Sequence, residues 1–140
     1  AADKRADLVI LRAKGKGFTP LPVSAQPAEA PLGGKVRVFS HPDKHFYVLS
    51  EGIISRKYLD STNKEGPRSM IAITADFAKG SSGAPVFNEF GAVIASVNNT
   101  QSAYYSVKNG VKDNLQMVFK NTVSMQHLLN LIQKKTNENR

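Results

Sequence analysis

The sequence predicts an all-β domain, an antiparallel six-stranded barrel that ends in one α-helix. Three observations carry this prediction: short apolar or alternating runs separated by turn residues, a proline-rich stretch without periodicity at residues 13–35, and apolar residues at helical spacing near the C-terminus. Many short strands joined by tight turns are typical of small barrels. The chain has 140 residues and no cysteine, so one ordinary domain must bury its core without disulfides.

The strands are predicted from apolar runs and alternation. An apolar run at residues 8–11 indicates a first short strand, and the proline-rich residues 13–35 predict a connector that lies across a surface. The six barrel strands follow at residues 36–39, 46–56, 69–74, 85–87, 92–97 and 115–119.

The remaining segments are assigned as turns, loops and the helix. Gly52 is expected to mark a bulge or bend within its strand. The polar residues 98–114 predict a loop. Thr122 is a candidate N-cap for an amphipathic helix over residues 123–135, followed by a tail at residues 136–140 that we expect to fray.

Composition argues against several functional classes. The net charge is +8, but the basic residues are scattered and are not interleaved with aromatic ones. This distribution indicates a solvated basic surface rather than a specific nucleic-acid site. No apolar run approaches the roughly 20 residues that cross a bilayer. The histidines do not cluster with carboxylates at a ligand spacing, so neither a metal nor a cofactor is predicted.

The most informative segment is residues 80–85, Gly-Ser-Ser-Gly-Ala-Pro, which lies between two predicted strands. A serine hydroxyl is a weak nucleophile and needs help from its surroundings. A sharp Gly-x-Ser-Gly turn brings backbone N–H groups toward one point, where those of Gly80 and Ser82 could stabilise an oxyanion. An ordinary glycine-serine turn is the alternative, but the order strand, loop, strand, turn, strand favours Ser82 as a nucleophile.

Residues 73–88 resemble the active-site segment of trypsin-like, chymotrypsin-fold serine peptidases, and are most similar to the cysteine-free bacterial kind. Ser81 replaces the usual Asp or Asn, and Ala84 replaces a Gly or Ser. The resemblance implies that residues 36–135 form the second, Greek-key barrel and its helix. It also implies that residues 13–35 are the inter-barrel connector, that residues 1–12 are the last strand of a missing first barrel, and that the protein is secreted or periplasmic.

A second similarity concerns Asp7, at the start of Asp-Leu-Val-Ile-Leu-Arg. In the family this Asp orients the catalytic histidine; a surface Asp at a strand start is the alternative. The family order is His, Asp, Ser, yet no histidine precedes Asp7, and His41, His45 and His127 are expected to be structural or superficial. The chain therefore carries two parts of a triad and lacks its histidine.

We expect the isolated chain to have negligible peptidase activity and to be the C-terminal part of a longer serine endopeptidase acting on peptides or proteins. A non-catalytic binding module of the same fold is the alternative. Residues 1–12 would be either disordered or docked, on the second barrel or on a neighbour such as the missing first barrel or a second copy.

The resemblance also implies a substrate pocket. Asp76 stands six residues before Ser82, the spacing of the acid that selects Lys or Arg in animal trypsins, although a loop Asp can also cap a turn. The opposite wall would come from Ser96, Val97 and Asn98.

Overall fold

The computed structural model describes residues 1–138. It contains eight strands and one α-helix: β1 (Ala2–Asp3), β2 (Leu8–Val9), β3 (Lys35–Ser40), β4 (Val48–Asp60), β5 (Arg68–Ile73), β6 (Pro85–Asn88), β7 (Val93–Lys108), β8 (Val111–Ser124) and α1 (Gln126–Glu138). Single-turn 3-10 helices occur at Pro27–Glu29 and Pro42–Lys44. No helix within these residues is long and apolar enough to cross a membrane.

Strands β3 to β8 form a closed antiparallel barrel in the order β3-β4-β5-β8-β7-β6, with β6 pairing back onto β3. The predicted six-stranded barrel with a C-terminal helix is confirmed. Because β6 lies beside β3 instead of β5, the connection from β5 to β6 must cross one end of the barrel. That connection, residues 74–84, carries Ser82.

Alternation along β3 shows how the sequence builds the core. Val36 and Val38 are fully buried, while the alternating residues Lys35, Arg37 and Phe39 face solvent. Their partners in the core include Ile54, Ile73 and Ile94. Each such aliphatic side chain contributes roughly 1.5–3 kcal/mol when it is removed from water.

Gly52 is required by a close approach and not by a bulge. It pairs regularly with Val36, and a Cβ at this position would collide with the backbone nitrogen of Ala75. The irregularity in β4 lies instead between Ile54 and Arg56. The expectation of a bulge or bend at Gly52 was therefore wrong.

The predicted loop at residues 98–114 was also wrong. Strands β7 and β8 continue beyond the barrel as a two-stranded arm, residues 99–120. The arm turns at Asn109 and Gly110. Both turn residues have positive φ, 50° and 79°, as a two-residue hairpin turn requires. The arm is solvated on both faces, so residues 98–114 lack the apolar alternation that marks a half-buried strand.

The helix begins three residues later than predicted. Thr122 is buried in β8 and its hydroxyl donates to the carbonyl oxygen of Ile71 at 2.6 Å, so it cannot cap a helix. The hydroxyl oxygen of Ser124 accepts from the N–H of Gln126 instead, at 3.3 Å. The helix extends through residue 138, and the rest of the predicted tail lies outside the described residues.

The N-terminal residues fold back onto the barrel. β1 and β2 pair as a small antiparallel hairpin, so the strand predicted at residues 8–11 is shortened to Leu8–Val9. Ala6 is fully buried against Met70 and Val123, and the Asn63 side-chain amide donates to the carbonyl oxygen of Arg5 at 2.7 Å. Of the two predicted alternatives for this segment, the structure shows docking on the barrel.

Candidate active site

The β5–β6 connection holds Ser82 at the apex of two successive tight turns. Gly80 and Gly83 have φ of 95° and 85°, in the left-handed region that glycine adopts without strain. The N–H of Ser81 donates to the carbonyl oxygen of Ala78, and the N–H of Ala84 donates to the carbonyl oxygen of Ser81, each at 3.0 Å. The serine predicted as the nucleophile is exposed, on a loop fixed by its own backbone hydrogen bonds.

Neighbouring segments anchor this loop from below. Ser81 is 1% exposed and its hydroxyl donates to the hydroxyl of Ser40 at 3.1 Å. The backbone carbonyl oxygen of Lys79 accepts from the N–H of Asp43 at 2.7 Å. A Cβ on Gly80 would lie only 2.9 Å from the carbonyl oxygen of His41, so this position cannot accept a side chain without displacing that segment.

Two backbone donors of the loop are free. Within residues 1–138 the N–H groups of Gly80 and Ser82 donate no hydrogen bond, although those of Ser81 and Gly83 do. Unpaired N–H groups beside a serine hydroxyl are what oxyanion stabilisation requires. The role predicted for these two donors stays a prediction, and both are available for it.

Ser82 and Asp7 meet at one residue. The hydroxyl of Ser82 donates to the carbonyl oxygen of Asn98 at 3.4 Å, and the side-chain amide of Asn98 donates to the Asp7 carboxylate at 3.2 Å. Asp7 itself has a φ of 56° in the turn between β1 and β2. The fold thus brings together two residues that are separated in the sequence by three strands of the barrel, β3, β4 and β5.

A cavity of about 390 Å³ lies at this junction. It is lined by Asp7, Leu8, Val9, Ser82, Gly83, Ser96, Val97, Asn98 and Val123. The predicted pocket wall of Ser96, Val97 and Asn98 therefore lies beside the predicted nucleophile.

Asp76 is not among the residues that line this cavity. Its carboxylate is 84% exposed and lies 2.6 Å from the ammonium nitrogen of Lys120, so its charge is already compensated within the chain. Its carbonyl oxygen accepts from the Ser50 hydroxyl at 2.6 Å. Selection of a cationic substrate side chain by Asp76 stays a prediction that this geometry does not support.

No histidine lines the Ser82 cavity. The Nδ1 of His41 accepts from the N–H of Tyr47 at 2.9 Å, so its neutral ring carries the proton on Nε2 and has no free acceptor nitrogen. His127 uses Nε2 in the same way, toward the N–H of Ser69 at 2.9 Å. Burial, reinforced by Arg5, lowers the pKa of His127.

Sequence reasoning missed a line of hydrogen bonds behind the site. The hydroxyl of Tyr58 donates to the side-chain oxygen of Asn121 at 3.0 Å. The side-chain amide of Asn121 donates to the side-chain oxygen of Asn99 at 3.0 Å, and that of Asn99 donates to the side-chain oxygen of Asn98 at 3.1 Å. With the contact from Asn98 to Asp7, these side chains form one continuous chain, which we call the amide chain. The adjacent residues Asn98 and Asn99 were the one local indication of the amide chain in the sequence. Tyr58 on β4 and Asn121 on β8 lie far from them in the sequence and give no such indication.

Comparison with known proteins bears on the family and on the fold of the chain. Residues 1–95, more than half of the chain, match the model of a family described as trypsin-like peptidase domain. The fold is similar to that of Rv3671c from M. tuberculosis, a serine-to-alanine mutant in its inactive form, with a TM-score of 0.59 and 18% identity. That similarity covers 82% of this chain and 52% of the other, so the chain spans about half of that structure. No curated protein matches the chain. On the extent of the family match, the chain belongs to the trypsin-like peptidase domain family.

Proposed function

We propose that this chain is the nucleophile-bearing part of a trypsin-like serine endopeptidase, with Ser82 as the nucleophile and Asp7 as the residue that orients the histidine. The observation that carries the proposal is that Ser82 and Asp7 both hydrogen-bond to Asn98 in one cavity. In this arrangement residues 1–12 end a first barrel, residues 13–35 connect the barrels, and residues 36–135 form the second barrel and its helix.

The chemistry follows the acyl-enzyme route. The Ser82 oxygen attacks the carbonyl carbon of a peptide bond, and its proton passes to an imidazole contributed from outside this chain. The N–H groups of Gly80 and Ser82 hold the oxyanion. The C–N bond then breaks as the imidazolium protonates the leaving amine. Water attacks the resulting ester, loses a proton to the imidazole, and releases the acid with Ser82 restored.

A non-catalytic binding module is the second candidate. It is favoured by the contact between the Asn98 amide and one Asp7 oxygen, in the place where an imidazole would be oriented. It is also favoured by the absence of a histidine from the cavity lining. In this case Ser82 would remain as a polar surface group of the barrel.

Chemical rescue by imidazole separates the two candidates. The chain is treated with a fluorophosphonate probe, with and without free imidazole, and labelled residues are mapped by mass spectrometry. A missing base costs about 10⁴-fold or more in rate, so we expect slow labelling alone and faster labelling of Ser82 with imidazole.

Two variants calibrate that measurement. Ser82→Ala should abolish the labelling, while Ser102→Ala, which removes an exposed serine on the arm, should leave it unchanged. Strong labelling of Ser82 without imidazole would show that the chain holds its own base. Labelling that imidazole does not accelerate, and that Ser82→Ala does not reduce, would favour the binding module.

A further inference from the structure

A polar groove of about 770 Å³ lies next to the Ser82 cavity. The two adjoin at consecutive residues of β7, because Asn98 lines the cavity and Asn99 lines the groove. Hydroxyl and amide side chains dominate its walls: Ser61, Thr62, Asn63, Asn99, Thr100, Gln101 and Asn121. Such walls offer many donors and acceptors to a polar ligand, and Leu59 and Met70 add an apolar part.

The charged side chains of the groove do not cancel. Arg68 and Asp60 form an ion pair at 3.2 Å, both largely shielded from solvent. Hydrogen bonds from Thr62, and then from Arg68, lower the pKa of Asp60 and keep it ionised. Arg56, the third charged residue of the lining, has no acidic side chain within ion-pair distance in the described part of the chain. The groove thus retains one positive charge.

Arg56 is also held in position. Its guanidinium carbon lies 4.3 Å from the centre of the Tyr58 ring, a cation–π arrangement. Tyr58 is fixed in turn by its hydrogen bond to Asn121, and burial raises its pKa, so the hydroxyl remains a donor. A guanidinium over a ring face keeps N–H donors that can pair with a carboxylate.

The amide chain joins the groove to the site. Tyr58, Asn121 and Asn99 line the groove, and the amide chain continues from them through Asn98 to Asp7. A polypeptide that is extended from the Ser82 cavity along β7 would enter the groove within a few residues, at about 3.3 Å per residue.

We propose that the groove binds an extended peptide segment through an acidic side chain that pairs with Arg56, and that this segment belongs to the polypeptide presented to Ser82. The second part rests on the proposed function, whereas the binding itself does not. The substrate class is then a polypeptide with a Glu or Asp a few residues from the bond that is cut.

The test uses the Ser82→Ala chain and two fluorescent peptides, Gly-Ala-Glu-Ala-Glu-Ala and the same peptide with Gln for Glu. Binding is measured by fluorescence anisotropy at an ionic strength of about 0.15 M, which screens long-range attraction to a basic chain. We expect the Glu peptide to bind about two- to fivefold more tightly than the Gln peptide, the effect of one ion pair with an exposed arginine.

Two substitutions locate that preference. Arg56→Ala should abolish it. Lys112→Ala is the matched control, since Lys112 is an exposed cation 5.3 Å from the Tyr104 ring in the arm and its loss removes the same charge. In ¹H–¹⁵N spectra, the Glu peptide should shift the side-chain amides of Asn99 and Asn121 but not that of Asn130 on α1.

Several results would overturn the proposal. The first is equal binding of the Glu and Gln peptides. The second is that Lys112→Ala loses the preference for the Glu peptide as completely as Arg56→Ala does. The third is that the Glu peptide shifts the side-chain amide of Asn130 but not those of Asn99 and Asn121. Inorganic phosphate that displaces the Glu peptide at equal concentration would show a simple anion site instead. Because every measurement uses the Ser82→Ala chain, a failure of Ser82 labelling would leave the result intact, and a failure here would leave the labelling intact.

Discussion

Strands β7 and β8 each belong to two different regions of the molecule. Inside the barrel, residues 93–97 of β7 are all buried, and Ile94 is 2% exposed. In the arm the same strand is open to solvent, and Val107 is 61% exposed. The ladder between the strands continues through both regions. Backbone pairing alone is therefore enough to form a strand. We expect a substitution to lower the free energy of unfolding substantially only where the strand is buried.

The largest expected effect tests this contrast within one strand. Ile94→Ala removes a core side chain and should lower the free energy of unfolding by about 2–5 kcal/mol, through lost burial and the cavity that remains. Val107→Ala on the same strand should change it by no more than about 0.5 kcal/mol, as at other exposed positions. Chemical denaturation of both variants measures the difference, and equal losses would show that the arm is part of the cooperative core.

A smaller effect is expected at the tip of the arm. Gly110 has a φ of 79°, which costs a residue with a Cβ about 1 kcal/mol. Gly110→Ala should therefore accelerate amide hydrogen exchange in the arm while exchange in the barrel strands stays unchanged. Gly17 provides a control for the substitution, since it also has a positive φ but lies in the connector. Slower folding or weaker protection throughout the barrel would contradict an independent arm.

The smallest expected effect is a dependence of the stability on pH that arises from the buried His127. Burial, then Arg5 and Arg68, lower the pKa of His127, and Asp3 opposes them. The unfolded chain therefore takes up this proton first as pH falls. The stability that neutral His127 contributes is complete above about pH 6.5 and is lost progressively below it.

Denaturation midpoints between pH 7.5 and pH 5 measure this loss. His127→Gln should flatten the dependence, because Gln cannot titrate, whereas His45→Gln, at an exposed position, should not. A wild-type midpoint that rises on acidification would show that the sign of this effect is wrong.

The sequence predicts those parts of the structure that leave local signs. Val36 and Val38 alternate with Lys35 and Arg37 and mark a half-buried strand, and the glycines around Ser82 mark the turn that exposes it. In the arm only residues 115–119 carried a strand pattern, and Asn109-Gly110, a strong hairpin signal, was obscured by the polar residues around it.

The candidate site was predictable where a local turn pattern or a family pattern supplied its residues. Ser82 and Asp7 were found in this way, and the fold brings them to the same cavity. The hydrogen bond from Tyr58 to Asn121 spans 63 positions, and the ion pair of Asp76 with Lys120 also joins distant segments. Contacts of this kind depend on strand register across the barrel, which no local pattern encodes.

The arm has a consequence for the behaviour of the purified chain. Beyond residue 97 β7 pairs with β8 alone, and before residue 120 β8 pairs with β7 alone, so within the described residues each strand has an open edge. Open edges are templates for self-association between copies. Lys108 and Lys112 lie on these two strands beside the tip, and their like charges oppose the edge-to-edge approach of a second arm. Colloidal stability of this protein should therefore decline as salt screens these lysines.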